Sequence, residues 1–265
     1  MLALTLLATL ASAAESGPTL QADAAFTMFD QGLSLLVKPA WKQTLWDKEG
    51  SLLLDGTHVT PGAWLQLTPD FARAGGELSF SPAAVFEIRG HALATQYFGN
   101  VNTIVGFEGQ EDSYGPEDRE GQEKNSGSTL RAGVAPILRA KVGSVVVVLA
   151  GERQWVKLTS EATNEPYWFE PESQLLLSHD ETITSGTGLL AWSGTVSDWE
   201  LITGLLGTWR SAEESGDSLL RVGPMVKAQA TDSKISYLLL VQPHLKDRVF
   251  GPSQPFTAVQ VRYAL

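Results

Sequence analysis

The sequence predicts an all-β fold, an antiparallel up-and-down transmembrane β-barrel of about 12 strands, with a range of roughly 10 to 14. Apolar residues alternate with polar ones along most of the chain, which is the period of a strand with one oily and one polar face. The alternating segments run for about 9 to 14 residues, long enough to cross a bilayer at a tilt and longer than strands of soluble sheets. Helical periodicity is hard to find after the first residues, which disfavours a helical fold.

Composition agrees with a barrel and excludes several other classes. The chain has 265 residues, no cysteine and a formal net charge of -11, so its length suits one large all-β domain or two small ones. Without cysteine there is neither a disulfide scaffold nor a thiolate metal site. A hydrophobic fraction of 43% is low for a helical membrane protein, but a barrel has this value because half of each strand faces a polar interior.

The N-terminal residues predict a secretory signal peptide. Residues 1–14 read MLALTLLATLASAA, and Ala11-Ser12-Ala13 matches the A-x-A cleavage pattern. The apolar run is shorter than the ~20 residues that span a bilayer as a helix. It departs from the usual signal peptide in one respect, since no Lys or Arg precedes it. We therefore expect a signal peptide at 1–14 and a barrel over 15–265.

Twelve alternating segments are predicted as strands. They lie at residues 33–44, 56–68, two within 76–98, 130–141, 145–158, 172–178, 186–193, 199–210, 220–229, 235–246 and 256–265. In the first of them Leu35 and Val37 share one parity and Lys38 has the other. In 76–98 the break falls at Ser81-Pro82, and in 145–158 the parity slips at Gly151, as a β-bulge would cause.

Two acidic stretches separate these strands, at residues 108–128 and 213–217, and both predict solvated loops. Counting strands back from Leu265 places the 108–128 loop at the same end as the chain termini, whereas long loops are expected at the other end. One strand is therefore mis-split or missed, and the suspect regions are 76–98 and 145–177.

The final strand, FTAVQVRYAL, carries a family resemblance. Val259, Val261, Tyr263 and Leu265 share an apolar face, and this ending resembles the C-terminal insertion signal of outer-membrane β-barrels, with Leu265 where Phe or Trp is commoner. With LLLDGTHV, FEIRGHALATQYFG and LLLSHDE, the chain resembles small, mostly uncharacterised bacterial outer-membrane β-barrel proteins.

The resemblance implies a location in the bacterial outer membrane and no cofactor. The expected partners are outer-membrane lipid and, through the C-terminal strand, the barrel-assembly machinery, with no nucleic acid; small anions are candidate solutes because the predicted lumen is basic. Aromatic residues near strand ends fit an interfacial belt, although some could pack in the lumen. They are Trp41, Trp46, Tyr97, Phe98, Trp155, Trp168, Trp199 and Trp209.

If the apolar positions of each strand face lipid, the alternate positions line the lumen, and these positions are rich in basic residues. The basic set is Lys38, Lys42, Arg89, Arg131, Arg139, Lys141, Arg210, Arg221, Lys227, Lys246 and Arg262, against the acids Glu87, Glu152, Glu172 and Glu200. His91 and His244 belong to the same lumen set, as hydrogen-bonded residues and not as metal ligands. Like charges cannot be buried without water or partners. Two hypotheses follow: a small anion-favouring channel, or a structural barrel plugged by ion pairs.

No catalytic residue is predicted. Residues 165–181 are similar to the outer-membrane phospholipase A region in which a histidine and a serine form a nucleophilic pair. Here Asp180 and Glu181 follow His179, so the serine position is acidic, and Ser178 and Ser185 have the wrong offsets. A lipid hydrolase of that type stays an alternative hypothesis. A secreted, soluble β-sandwich that binds a ligand is another.

Overall fold

A computed structural model describes residues 16–28, 32–46, 57–99, 104–159, 163–249 and 254–264. The predicted signal peptide at 1–14 lies outside the described residues, as does Leu265. The strands are β1 (Gly17–Met28), β2 (Gly32–Trp46), β3 (Thr57–Leu67), β4 (Phe71–Ala83), β5 (Phe86–Phe98), β6 (Gly106–Phe107), β7 (Ser126–Val142), β8 (Val145–Leu158), β9 (Tyr167–Glu170), β10 (Leu175–Ser178), β11 (Asp180–Val196), β12 (Trp199–Ala212), β13 (Ser218–Ala230), β14 (Ile235–Gln242), β15 (His244–Lys246) and β16 (Phe256–Ala264). One short helix, α1, spans Pro116–Arg119.

Twelve strands form a closed, antiparallel β-barrel, which confirms the predicted fold class. Strands that follow one another along the barrel pair with each other, and β1 closes the circle against β16, with Gln21 opposite Ala264. Strand β15 continues the line of β14 against β13. Strands β6, β9 and β10 form a separate three-stranded sheet and are not part of the wall. Among the described residues, no helix is long and apolar enough to cross a membrane.

The barrel wall is oily outside and polar inside. On β2, Leu35 and Val37 are exposed while Ser34 and Lys38 are buried, and this alternation recurs along the wall. Because strand side chains alternate between two faces, the exposed parity points outward and the buried parity points into the lumen. A soluble sandwich has the reverse arrangement, with its aliphatic side chains inside, so that alternative does not describe this fold.

Aromatic side chains mark both ends of the outer surface. Six of the eight predicted belt residues are exposed, namely Trp41, Trp46, Phe98, Trp155, Trp199 and Trp209. Tyr97 and Trp168 are completely buried and belong to the interior, so the alternative of packing in the lumen applies to these two residues. Exposed aromatics at the two ends are typical of side chains placed at the two interfaces of a bilayer.

The two ends of the barrel differ in their connections. At one end, which we call the turn end, the strands are joined by short turns at 84–85, 143–144, 197–198 and 231–234. Gly143 has φ +58 in the second of these turns, a conformation that side chains disfavour. The other end, the loop end, carries longer connections, of which the structure describes residues 104–125, 163–179, 213–217, 247–249 and 254–255.

The acidic loop at 108–128 therefore lies mostly at the loop end, and the strand count explains why it was misplaced. Strand β1 was not predicted, while the predicted strand at 172–178 corresponds to β10, which is not part of the wall. The two errors cancel in the total of twelve. The predicted bulge at Gly151 is also wrong, because β8 stays in register with β11 on both sides of that residue.

Part of the lumen is filled by apolar side chains. From the middle of the barrel towards the turn end, inward residues of β7, β8, β11 to β14 and β16 form one buried cluster, which includes Ile137, Val148, Leu206, Met225 and Leu240. These side chains are almost completely excluded from solvent. The interior is thus packed on this side and is not an open tube.

Candidate functional site

The chain between β8 and β11 folds into the loop end of the barrel as a hairpin, β9–β10, residues 167–178. We call it the lumen hairpin. Trp168 and Leu177 pack in one buried cluster with the inward wall residues Phe71, Tyr97 and Ile183. Since these wall residues face the lumen, the lumen hairpin occupies the inside of the barrel.

The tip of the lumen hairpin is a tight turn that binds its own backbone. The N–H of Gln174 donates to the carbonyl oxygen of Glu170 at 2.9 Å, and Gln174 has φ 58, in the left-handed region. The Glu170 carboxylate accepts hydrogen bonds from the N–H groups of Ser173 at 2.6 Å and Glu172 at 3.2 Å. A strained tip of this kind persists because surrounding contacts hold it.

Two arginines on one wall of the barrel bind the carboxylates of the tip. Arg73 of β4 forms a close ion pair with Glu172. Arg131 of β7 lies with Nη2 2.8 Å from Glu170 Oε1 and with Nη1 3.5 Å from Glu172 Oε2. Tyr97 adds to this contact, since its hydroxyl donates to Glu170 at 2.9 Å and accepts from Arg131 at 3.1 Å.

Two further arginines bind the tip from other strands. Arg210 of β12 donates through Nη1 to the carbonyl oxygens of Glu172 at 2.6 Å and Ser173 at 2.9 Å. Arg221 of β13 donates to Gln174 Oε1 at 2.5 Å. Arg73, Arg131, Arg210 and Arg221 thus direct their guanidinium groups at four residues of the tip, namely Glu170, Glu172, Ser173 and Gln174. We call these four residues the arginine girdle.

The ionisation of the tip follows from these contacts. Burial alone would raise the pKa of Glu172, but the guanidinium groups of Arg73 and Arg131 outweigh burial and lower its pKa well below the ordinary value. Glu172 therefore stays a carboxylate, and the charge-assisted contacts with the girdle are present at neutral pH.

The outer face of the lumen hairpin is held by loops. Asp217, completely buried, accepts hydrogen bonds from the Tyr114 hydroxyl, from the Leu176 N–H at 2.8 Å and from the Ser218 N–H at 2.8 Å. Burial raises the pKa of Asp217, although these hydrogen bonds act in the other direction. Ser215 Oγ donates to the Leu176 carbonyl oxygen at 2.6 Å. We call Tyr114, Ser215 and Asp217 the loop latch.

A second group of charges, which we call the strand cluster, lies nearer the turn end. Lys38 Nζ is 2.8 Å from Glu77 Oε2, and Arg89 Nη2 is 2.8 Å from Glu87 Oε1. Arg139 forms a close ion pair with the other oxygen of Glu87. All five residues belong to barrel strands, so each cation finds its carboxylate on the wall itself.

A cavity of about 60 Å³ lies between the arginine girdle and the strand cluster. Its lining includes Trp64, His91, Glu152 and Thr208. Within the described part of the chain, the indole Nε1 of Trp64 and the hydroxyl of Thr208 are buried without a hydrogen-bond partner. A polar space of this size holds a few water molecules, which would satisfy both groups.

The predicted lumen residues fall into three sets. The buried set is Lys38, Glu87, Arg89, Arg131, Arg221, His244 and Arg262. The partly buried set is Lys42, His91, Arg139, Arg210 and Lys227, together with Glu152 and Glu172. Lys141, Glu200 and Lys246 are exposed, near strand ends. His244 Nδ1 lies 2.7 Å from Asp247 Oδ2, which agrees with a hydrogen-bonded role.

The residues that sequence reasoning missed are mostly the partners. Arg262 binds Asp23 at 2.7 Å, Lys38 binds Glu77, and Arg131 binds Glu170. Asp23 lies on the unpredicted β1. Arg73 lies near the start of β4, before residue 76, where the predicted strand began, whereas Glu77 lies inside the predicted segment but was not assigned to the lumen. Their inward parity, shared with Ser79, was the available signal.

The hydrolase residues do not form a catalytic pair. His179 Nε2 lies 2.9 Å from the carbonyl oxygen of Glu165, and Ser178 Oγ donates to the carbonyl oxygen of Asp180 at 2.6 Å. Neither serine near His179 contacts its imidazole in the described structure. The described residues also contain no group of three or more His, Asp or Glu that could hold a metal ion.

Comparison with known proteins supports the fold. No family model matches the sequence, and no curated protein sequence matches it. Among solved structures, the beta domain of the Bordetella autotransporter BrkA superimposes with a TM-score of 0.53 at 12% identity, covering 94% of this chain and 98% of that one. An outer membrane channel from Pseudomonas putida F1 gives a TM-score of 0.43 at 10% identity, covering 97% of each chain. The fold of the chain is that of an outer-membrane β-barrel.

Proposed function

We propose that the protein is a bacterial outer-membrane barrel that is plugged at rest, and that the lumen hairpin is the part that must leave before a solute can enter. The observation that carries this proposal is the contact between residues 170–174 and the arginine girdle. Of the two sequence hypotheses, the plugged barrel has the better support, since the buried cations have partners and the lumen is packed.

The outward aliphatic surface supports lipid as the surrounding medium, because such a surface is unfavourable in water. Strand β16 joins β14 to β1 and so closes the wall, which supports its role as the strand read by the barrel-assembly machinery.

Recording in planar lipid bilayers tests the plug. The intact protein should give no steady conductance, whereas a variant with residues 164–178 replaced by a short Gly-Ser linker should conduct. Heat-modifiable migration on gels checks that both proteins fold as barrels. Steady conductance through the intact protein would show an open pore. Silence of the trimmed variant would show a permanently filled structural barrel, because the apolar cluster would then close the lumen alone.

A further inference from the structure

The arginine girdle holds more positive charge than the lumen hairpin neutralises. Four guanidinium groups face residues 170–174, and this tip offers two carboxylates, those of Glu170 and Glu172. The remaining acceptors at the tip are neutral: two carbonyl oxygens and the amide oxygen of Gln174. Glu152 of β8 lines the cavity beneath and interacts with Arg210 through its charge, but it belongs to the wall and not to the hairpin.

The two carboxylates occupy one connected site. Arg131 reaches both of them, Glu170 at 2.8 Å and Glu172 at 3.5 Å, so they lie side by side at a single guanidinium. Arg73 and Arg131 are buried even though both carry charge. Planar guanidinium groups bind carboxylates by paired, charge-assisted hydrogen bonds, and burial of such groups without an acceptor is costly.

We propose that the arginine girdle is a binding site for a small solute with two carboxylate groups, and that the lumen hairpin occupies this site as an internal substitute. When the hairpin leaves, the girdle loses both carboxylates at once, and an external dicarboxylate supplies the same two acceptors to the same guanidinium groups. Solute and hairpin therefore compete for one set of arginines. This inference rests on the proposed function only in that the hairpin must be able to leave.

Calorimetric titration with succinate tests the site, using the protein folded in lipid nanodiscs. The variant Glu170→Gln/Glu172→Gln keeps the shape of the tip but removes its charge, so it should bind succinate at least roughly tenfold more tightly than the intact protein. Adding Arg131→Gln to that variant should abolish the gain. Glu213→Gln is the matched control, because Glu213 pairs with Arg153 at the exposed rim and should change nothing.

Succinamide, the neutral diamide of succinate, is the control ligand that separates recognition of charge from recognition of shape. Ionic strength is held constant in all titrations, because salt screens exposed charges. Equal affinity for succinate in the intact protein and the double variant would overturn the inference. A gain in succinate affinity that persists after Arg131→Gln would overturn it as well. Inorganic phosphate binding as tightly as succinate would overturn the dicarboxylate assignment. If the double variant does not fold, the hairpin-trimmed variant gives the same titration.

The two proposals fail separately. A trimmed barrel that conducts without binding succinate removes the dicarboxylate site and leaves the plug. A trimmed barrel that binds succinate without conducting removes the conduit and leaves the site.

Discussion

The barrel buries two groups of cations, and they differ in where their partners lie. In the strand cluster, Lys38, Arg89 and Arg139 bind carboxylates that lie on strands of the wall itself. In the arginine girdle, Arg73 and Arg131 bind carboxylates of a hairpin that is not part of the wall. Backbone pairing within the wall fixes the strands that carry the first set of partners, whereas the hairpin that carries the second set pairs through its backbone with β6, which is not part of the wall.

Because of this difference, we expect the strand cluster to affect the stability of the barrel wall and the arginine girdle to affect closure of the lumen. We expect loss of a strand-cluster pair to destabilise the wall and to leave the lumen hairpin in place, because among the described residues no side chain of that cluster forms an ion pair or hydrogen bond with the tip. We expect loss of a girdle pair to loosen the hairpin and to leave the wall intact. The same kind of buried ion pair therefore has two consequences, according to whether its partner can move.

The largest expected contrast compares Arg131→Gln with Arg89→Gln. Arg131→Gln leaves the buried carboxylate of Glu170 without its ion-pair partner, which typically costs about 3–5 kcal/mol, whereas after Arg89→Gln the Glu87 carboxylate still has Arg139 as a partner. Arg131→Gln should produce conductance in planar bilayers, because Glu170 loses its guanidinium. Arg89→Gln should lower the midpoint of thermal unfolding and stay silent. Conductance from Arg89→Gln but not from Arg131→Gln would invert the assignment of the two groups.

A smaller effect is expected at the loop latch. Asp217→Asn replaces two acceptor oxygens by one, so the N–H of Leu176 or of Ser218 loses its acceptor, at about 1–3 kcal/mol. Burial already raises the pKa of Asp217, so removal of its charge offsets part of this loss. Brief openings should appear in recordings of this variant. Asp198→Asn, in a tight turn at the opposite end, is the control and should leave the recording silent.

Tyr114→Phe should have a still smaller effect, about 1 kcal/mol, because it removes one hydrogen bond to Asp217 and keeps the ring contact with Phe169. The rate of protease cleavage within the lumen hairpin should rise a few-fold, in line with that energy. Tyr263→Phe on the outer surface serves for comparison. A rise in cleavage rate of equal size in both variants would show that the loop latch does not hold the lumen hairpin.

The smallest expected effect is that of mild acid. Because the folded pKa of Glu172 is lowered from its ordinary value of 4.5, the stabilisation by its ion pairs is fully present above about pH 4.5 and is lost only as pH falls further. The intact protein should stay closed from pH 8 to about pH 5. Conductance recorded stepwise over this interval checks the prediction, and opening near pH 6 would show that another group controls the plug.

The sequence predicted the wall better than the plug. Alternation placed Lys38, Arg131 and Arg262 on the polar parity because strand period depends only on neighbouring residues. Strand β1 was missed because its outward positions include Ala22 and Ala24, whose small side chains contrast weakly with a polar parity.

The plug could not be predicted in the same way. Strand β10 reads LLLS, an apolar run typical of a buried strand. The neighbouring sequence does not indicate whether such a strand lies in the barrel wall or in the lumen. The pairing of Glu170 with Arg131 joins residues far apart in the chain, and it depends on closure of the barrel, which brings β4, β7, β12 and β13 around one space. The predicted excess of basic residues in the lumen was overestimated, because the acids Asp23, Glu77 and Glu170 were missed.

The most direct measurement is thiol labelling of the hairpin tip, since the chain has no cysteine of its own. Ser173→Cys places a thiol at a buried position beside Arg210, and Asp180→Cys places one where the side chain is 75% exposed. With a charged maleimide, Ser173→Cys should react roughly a hundredfold more slowly than Asp180→Cys, and Arg131→Gln should raise its rate. Equal rates at the two positions in the otherwise intact protein would show that the hairpin lies outside the barrel.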